Sequence, residues 1–423
     1  MADIIHTTEI APVGYHHTNA GNLPNEWTSL PLSSIVEEIT ETAGTRKIET
    51  VSISAGIGFV NQAEKFGKEL SGKQYEKYTV LHLGDFSYNK GNSNLYPQGC
   101  IYRLNDRTEA AVPNVFESFR VADGNPDYYE QLFISGFLNR QLYSRINRGV
   151  RDDGLLNLRG KDFYSCEVPC PPIAEQDRIA EILVQCDKVI ELKQREIEEL
   201  EKLKKAYLKM LFPKKECDQP ELRFPGFSGI WKRRKLGEIG SVQTCKRIFK
   251  EQTSSDGEIP FYKNGTIGLQ ADAYISREVF EEFKRLYPYP EPGDILISAV
   301  GSVGRTAEYT GKDEYFQDSN VVWLKTDKMA VDKKFLKASY QVIDWLIEGS
   351  TVKHLYNDNI LKSVIWIPET IEEQKAVGKF VEDFDYLITL HRDELAESKK
   401  KRKALAQLLL TGIVRTKNER PSF

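Results

Sequence analysis

Two stretches of the chain carry the seven-residue recurrence of apolar positions that makes a stripe along a helix. In the first stretch Leu183, Ile190, Ile197 and Leu211 hold the row, and in the second Val381, Ile388, Leu395 and Leu409 do. The missing member of each row is basic, Lys204 in one and Arg402 in the other. A neighbouring row reads Cys186, Lys193, Leu200, Tyr207 against Phe384, His391, Ser398, Leu405. Neither body contains Pro or Gly, from Glu191 to Phe212 or from Lys379 to Leu410. Pro171-Pro172 and Pro368 stand before them, and Pro213 and Gly412 after, which bounds each helix. The pattern predicts two helices of about forty residues, each roughly 60 Å long at 1.5 Å per residue. Such a stripe can also lie on the core of an ordinary domain. Two stripes in one register favour a mutual coiled-coil seam, with Leu183, Ile190, Ile197 and Leu200 facing Val381, Ile388, Leu395 and Leu405, and with the polar members fixing the register.

The stripes belong to an internal repeat. Ile173-Ala174-Glu175-Gln176 returns 198 residues later as Ile371-Glu372-Glu373-Gln374, and the match runs on without a gap. Asp187 meets Asp385, Leu192 meets Leu390, Glu196 meets Glu394 and Lys205 meets Lys403. A larger segment precedes each helix. Both segments open with one spacing, Trp27, Leu32, Ile35 and Trp231, Leu236, Ile239. Both carry Gly-Asp before an extended run, at Gly84-Asp85-Phe86-Ser87-Tyr88 and Gly293-Asp294-Ile295-Leu296-Ile297. Short apolar and aromatic runs broken by Gly, Asn and Pro predict strands and turns, and 126–142 and 332–348 predict helices. The fold class is therefore α+β, with two globular domains each followed by a long helix. The expected division is a first domain at 1–172, its helix at 173–212, a linker at 213–229 rich in Pro and Gly, a second domain at 230–370, its helix at 371–412 and a tail at 413–423.

Composition narrows the class. At 423 residues, 40% hydrophobic and 11% aromatic, the chain can build two or three cores and is not a disordered polymer. No run of about 18 apolar residues suggests a membrane span. Met1 to Ile10, with Asp3 and Glu9, reads as no secretory leader. Six cysteines are too sparse for a disulfide scaffold and point to a reducing cytoplasm. A net charge of −4 argues against a uniformly basic nucleic-acid coat and leaves room for local basic loops.

Catalytic and metal signals are weak. Gly67 to Gln74 nearly spells a phosphate-binding loop but lacks the Ser or Thr that would hold magnesium. Asn125-Pro126-Asp127-Tyr128 faintly matches the Asn-Pro-Pro-Tyr of amino-methyltransferases without its second Pro. Cys166 and Cys170 lack a second ligand pair at metal spacing, and the six histidines are scattered. No catalytic residue and no metal site is assigned. Nucleic-acid signals are more numerous. Lys202 to Lys215 and Lys399 to Lys403 are basic runs late in the two helices, although charge there also suits the helix dipole. Loops mixing amides, small residues and cations occur at Tyr88, Asn89, Lys90, Asn92 and Asn94, at Lys263 and Asn264, and at Ser298, Ser302 and Arg305. Arg145 and Arg148 in one half, and Lys353 and Tyr356 in the other, sit at comparable places. Amides can pair with adenine, and cations with guanine or phosphate.

With the repeat in hand, the chain resembles the specificity subunit of type I restriction-modification systems over essentially its whole length. Pro171-Pro172-Ile173-Ala174-Glu175-Gln176 and Ile367-Pro368-Glu369-Thr370-Ile371-Glu372-Glu373-Gln374 look like the family's helix starts. The two Trp-x4-Leu openings, Gly293 to Arg305 and Gly349 to Leu355 look like its recognition domains. The first domain departs at Tyr88-Asn89-Lys90, where the second has a Gly-Ser-x-Gly loop. The resemblance implies a non-catalytic DNA reader. Each domain would be a target recognition domain reading one half of a bipartite, asymmetric site in double-stranded DNA. The helices would pair antiparallel, space the domains and dock two methyltransferase subunits, with motor-nuclease subunits joining for restriction. S-adenosylmethionine, ATP and magnesium would sit on those partners, with no cofactor in this chain, no membrane and a cytoplasmic location. The alternative left open is a coiled-coil adaptor without DNA reading.

Overall fold

The computed structural model describes residues 11–68, 72–91, 96–146, 155–214, 217–301, 303–317, 320–327 and 329–416. The chain forms two compact units, Met1–Lys193 with Glu394–Phe423, and Gln194–Asp393. Each unit combines one globular domain with portions of both long helices.

In the first unit, β1 (Thr28–Pro31), β2 (Val36–Glu38), β3 (Phe86–Asn89), β4 (Cys100–Arg103), β5 (Glu117–Val121) and β6 (Glu167–Cys170) frame the domain. A four-stranded antiparallel sheet runs β2-β5-β3-β4, and β6 pairs with β1. The alternation of β3 puts Phe86 and Tyr88 on the core face, where Phe86 stacks on Phe119 at 5.5 Å and Tyr88 on Phe163 at 4.6 Å. Ser87 faces the other way and hydrogen-bonds Ser118 at 3.1 Å. Helix α1 (Pro126–Ile134) lays Tyr128, Leu132 and Phe133 into the same core. The long helix α2 (Ile173–Leu211) then leaves the domain, 39 residues in one piece.

In the second unit, β7 (Lys232–Lys235), β8 (Ser241–Thr244), β9 (Ile295–Ser298), β10 (Thr306–Glu308), β11 (Val321–Lys325) and β12 (Val364–Ile367) repeat that plan. The sheet runs β8-β11-β9-β10, and β7 pairs with β12. Strand for strand, this is the order of the first unit. Helix α3 (Lys333–Tyr340) corresponds to α1, and α4 (Ile371–Leu410, 40 residues) to α2. A second core of this unit gathers Ile259, Phe261, Phe280, Tyr315 and Trp323.

The Gly-Asp pair does the same work in both units. Asp85 is buried and accepts from the His82 amide at 2.7 Å and from both arms of Arg120 at 2.7 and 3.0 Å. Asp294 accepts from the Glu291 amide at 2.8 Å and pairs with Lys333 at 2.8 Å. The glycine before each aspartate has positive φ, 95° and 86°, a region a side chain resists. The motif is a turn clamp that aims β3 and β9.

Within each unit the helices run antiparallel. In the first, Ile179, Ala180 and Leu183 of α2 share a core with Ala406, Leu409 and Leu410 of α4. In the second, Leu208 and Leu211 share one with Val377 and Val381, and Tyr207 lies 5.7 Å from Phe384. Leu183, Ile197, Val381 and Ile388 are buried, and Ile190, Leu200, Leu395 and Leu405 are half-buried. The helices stop at Leu211 and Leu410, slightly short of the expected bounds, where Phe212 turns into the core and Gly412 takes a φ of 71°. The segment after α4 is more than a tail, because Arg415 reaches back to Glu175 at 2.8 Å.

Candidate nucleic-acid interface

The residues of the helix-start signature join each helix to its domain. Trp27 Nε1 donates to Glu175 at 3.0 Å, and Trp231 Nε1 donates to Glu373 at 3.1 Å. Arg415 grips Glu175 with two nitrogens, both at 2.8 Å, and Arg223 grips Glu373 in the same way. Burial alone would raise the Glu175 carboxyl. The Arg415 guanidinium and the Trp27 indole outweigh it and hold the group below the usual carboxylate range. Gln176 accepts from the Asn125 amide at 2.8 Å, and Gln374 accepts from the Asp332 amide at 2.9 Å. Glu-Gln is therefore a bracket holding the Trp, the start of α1 or α3 and an arginine around each long helix. Asn125 is the N-cap of α1, accepting from the amides of Asp127 and Tyr128 at 2.7 and 3.2 Å. Tyr128 is wholly buried, so Asn125 to Tyr128 is a helix start and the weak methyltransferase match is set aside.

In the second domain three of the candidate loops come together. Asn264 donates through its side chain to the Val300 carbonyl and accepts from the Ser298 hydroxyl. Arg305 Nη1 donates to the Gly265 carbonyl at 3.1 Å, and the Gly301 amide donates to Lys353 at 2.9 Å. Leu355 donates to Ala299 at 2.8 Å. Gly301 and Gly304, with φ of 69° and 81°, make the turn out of β9. The result is a braced loop cluster beside an open groove of about 720 Å³ lined by Val300, Asn320, His354, Tyr356 and Asn357. His354 stacks on Tyr356 at 5.6 Å, and Tyr356, Lys353 and Arg305 are exposed.

Burial corrects the expectation for Ser298 and Tyr88. Ser298 is fully buried and bonds Asn264, so it braces the loop from inside. Asn264 spends both ends of its amide on that brace. Lys263 pairs with Asp272 at 3.1 Å on the surface. In the first domain Tyr88 is fully buried, donates to the Gln98 carbonyl at 2.7 Å and cannot face a ligand. Lys90 is only 14% exposed and ion-paired with Glu117. Asn89 donates to Ile53 at 3.1 Å and accepts from the Gly91 amide at 2.8 Å. Arg145 caps its own helix through the Gln141 carbonyl at 3.2 Å and reaches Ser165 Oγ at 3.3 Å. Asn92, Asn94, Arg148 and Ser302 lie outside the described residues, as do Glu69 to Ser71 of the weak phosphate-loop match. The first loop is braced as the second is: Leu156 donates to Lys90 at 2.8 Å, as Leu355 does to Ala299.

Among the described residues no His, Cys, Asp and Glu cluster could hold a metal ion. The buried thiols Cys100 and Cys166 are pushed up to about 11 and Cys245 to about 12 by burial, the reverse of a nucleophile's environment. No described helix is long and apolar enough to cross a membrane. The sequence missed Arg415 and Arg223, which lie outside the repeat's register. It showed the Trp, Glu and Gln of the bracket, and their recurrence at matching positions was the available signal.

Fold and site define a tandem-domain protein in which each domain is bracketed to a long helix and carries a braced loop cluster at one end of its sheet. The chain belongs to the family of the type I restriction modification DNA specificity domain, whose model matches residues 15–202 and again 229–400. The type I restriction enzyme MjaVIII specificity subunit of Methanocaldococcus jannaschii is 28% identical over 313 residues, 68% of this chain and 70% of that one. A Haemophilus influenzae protein bearing the name of a type I restriction enzyme specificity subunit is 49% identical over 153 residues, which is 36% of this chain and 40% of that one. The S subunit of a type I restriction-modification system from M. genitalium has the same fold, with a TM-score of 0.55 and 16% identity over 91% of this chain and 96% of that one.

Proposed function

We propose that the chain is the non-catalytic DNA-specificity subunit of a type I restriction-modification enzyme. Each domain reads one half of a bipartite, asymmetric site in double-stranded DNA. The paired helices set the gap between the half-sites and dock two methyltransferase subunits, and motor-nuclease subunits join the complex that cuts. S-adenosylmethionine, ATP and magnesium belong to those partners, and the complex works in the cytoplasm beside the chromosome. One observation carries the reading. The same sheet edge ends in a braced loop in both domains, yet the loops themselves differ, as two readers of different sequences require. Family membership in both halves supports it.

The test is co-expression with a methyltransferase subunit, followed by mapping of methylated adenines across the host genome. The expected result is a split motif with a fixed gap, one half of which changes when residues 20–170 are exchanged for those of a relative. A stable complex that methylates nothing, or a motif without two separable halves, overturns the reading in favour of an adaptor.

A further inference from the structure

The sheet of the second domain places one more segment beside the reader loops. Thr244, Val322, Ile297 and Thr306 lie in a row across β8, β11, β9 and β10. Beyond that row the chain leaves β8 at Cys245, leaves β9 at Ala299 and enters β10 from Arg305. The segment Cys245–Lys250 therefore emerges from the same edge as the loop containing Arg305. Its pattern is unusual. Cys245 and Ile248 are buried, whereas Lys246, Arg247, Phe249 and Lys250 are exposed, Phe249 by 60%.

The segment is held in shape. Tyr315 donates to the Lys246 carbonyl at 3.1 Å, the Phe249 amide donates to Gln252 at 3.0 Å, and the Thr253 amide donates to Lys250 at 3.1 Å. Lys246 lies 5.3 Å from the Tyr287 ring, and among the described residues neither Lys246 nor Lys250 has an ion pair. An aromatic ring held out in water between three cations is the composition that nucleic acid matches, with phosphates for the charges and sugar or base surface for the ring. The corresponding segment of the first domain, after β2, carries no exposed aromatic ring, although Arg46 and Lys47 are exposed cations there. Glu37 and Glu38 end the strand, and Glu41 is held by Arg46 at 2.7 Å and His82 at 2.9 Å.

We infer that Lys246, Arg247, Phe249 and Lys250 form a DNA-backbone clamp flanking the half-site read by the second domain. The three cations neutralise phosphates, and Phe249 packs on the adjoining sugar and base-step surface. The inference rests on the DNA-reading function proposed above and adds an asymmetry to it: the second domain carries an exposed ring at this edge that the first lacks.

The experiment uses the complex of the full chain with its methyltransferase, duplexes with and without the mapped site, and a series of salt concentrations. For K246A/R247A/K250A the expected result is an affinity loss of roughly tenfold or more on both duplexes. The slope of log affinity against log salt falls by about two to three, at about 0.9 per phosphate contact, and the preferred bases do not change. F249A, which removes no charge, should weaken both duplexes several-fold at an unchanged slope. Wild-type affinity and slope in the triple variant overturn the clamp. Loss of the methyltransferase from the triple variant with DNA contacts intact overturns it in favour of a protein contact. A wild-type complex that prefers no sequence refutes the reader instead, and the loss on non-specific duplex still decides the clamp.

Discussion

Arg402 on α4 clasps Asp187 on α2 with both arms of its guanidinium, Nε to Oδ1 at 2.9 Å and Nη2 to Oδ2 at 3.0 Å. The pair is one of two related by the repeat, since Lys204 meets Asp385 at the matching positions of the other unit. A second matched set lies nearer the helix midpoints: Lys193 with Glu394 at 2.7 Å, and His391 with Glu196 at 3.6 Å. The basic residues that interrupt the apolar rows are thus the register pins of an antiparallel pair, because sliding either helix by a turn separates every one of them.

Breaking a pin should be costly and repairable. Arg402 is 13% exposed and also donates to Gln131. Asp187→Ala strands part of that guanidinium and should lower stability by about 1–2 kcal/mol, measured by urea denaturation. The charge-swapped Asp187→Arg, Arg402→Asp pair should recover a good part of the loss. If the swapped pair is no better than the single variant, the clasp does not fix the register.

The seam and the outer face of the helices should respond differently to one chemical change. Ile388 and Ile197 are buried on the seam, whereas Tyr386 is 69% exposed two positions away. Ile388→Asp places a carboxylate among apolar side chains and should destabilise the protein by about 3 kcal/mol or more. Tyr386→Asp should stay within about 0.5 kcal/mol. Equal losses of helical circular dichroism signal in the two variants would refute the seam.

The bracket around Glu175 makes one domain sensitive to acid. Its carboxyl is held below its ordinary range when folded, so it binds a proton more readily when unfolded. The stability it contributes is complete above the unfolded pKa of about 4.3 and fades as pH falls through that value toward the folded one. The gap in thermal midpoint between wild type and Glu175→Gln should be constant near neutral pH and close below pH about 4. A gap that persists unchanged in acid would show that the charge of Glu175 is not what holds Arg415.

Much of this was legible because the repeat made each pattern appear twice. The apolar rows gave the helices within two residues at their ends, and Trp27 with Trp231 marked equivalent domain openings. The loops were harder. Tyr88, Lys90 and Ser298 have the side chains of a nucleic-acid surface, but β3 and β9 are inner strands covered on both faces, and a short run of residues does not say how deep in the sheet its strand lies. Tyr88 went into the core, and Lys90 found Glu117 on the neighbouring strand β5. Arg223 and Arg415 act across long sequence separations that no local pattern encodes.

Residues once grouped in the reader loops should now separate into readers and braces. Arg305 is exposed, and one of its nitrogens steadies the loop through the Gly265 carbonyl. Arg305→Ala should cost about 1–3 kcal/mol of affinity if the guanidinium pairs with a base, and it should relax preference in one half of the site only. Tyr88→Phe loses the bond to Gln98 and keeps the ring on Phe163, so it should lower stability by about 1 kcal/mol and leave base preference alone. Lys90→Ala strands Glu117 and should behave like Tyr88→Phe. Binding assays on single-base variants of the mapped site distinguish the two classes. A changed base preference in the Tyr88 variant, or an unchanged one in the Arg305 variant, would reverse the assignment, because only a side chain that reaches the DNA can alter which base is preferred without altering the fold.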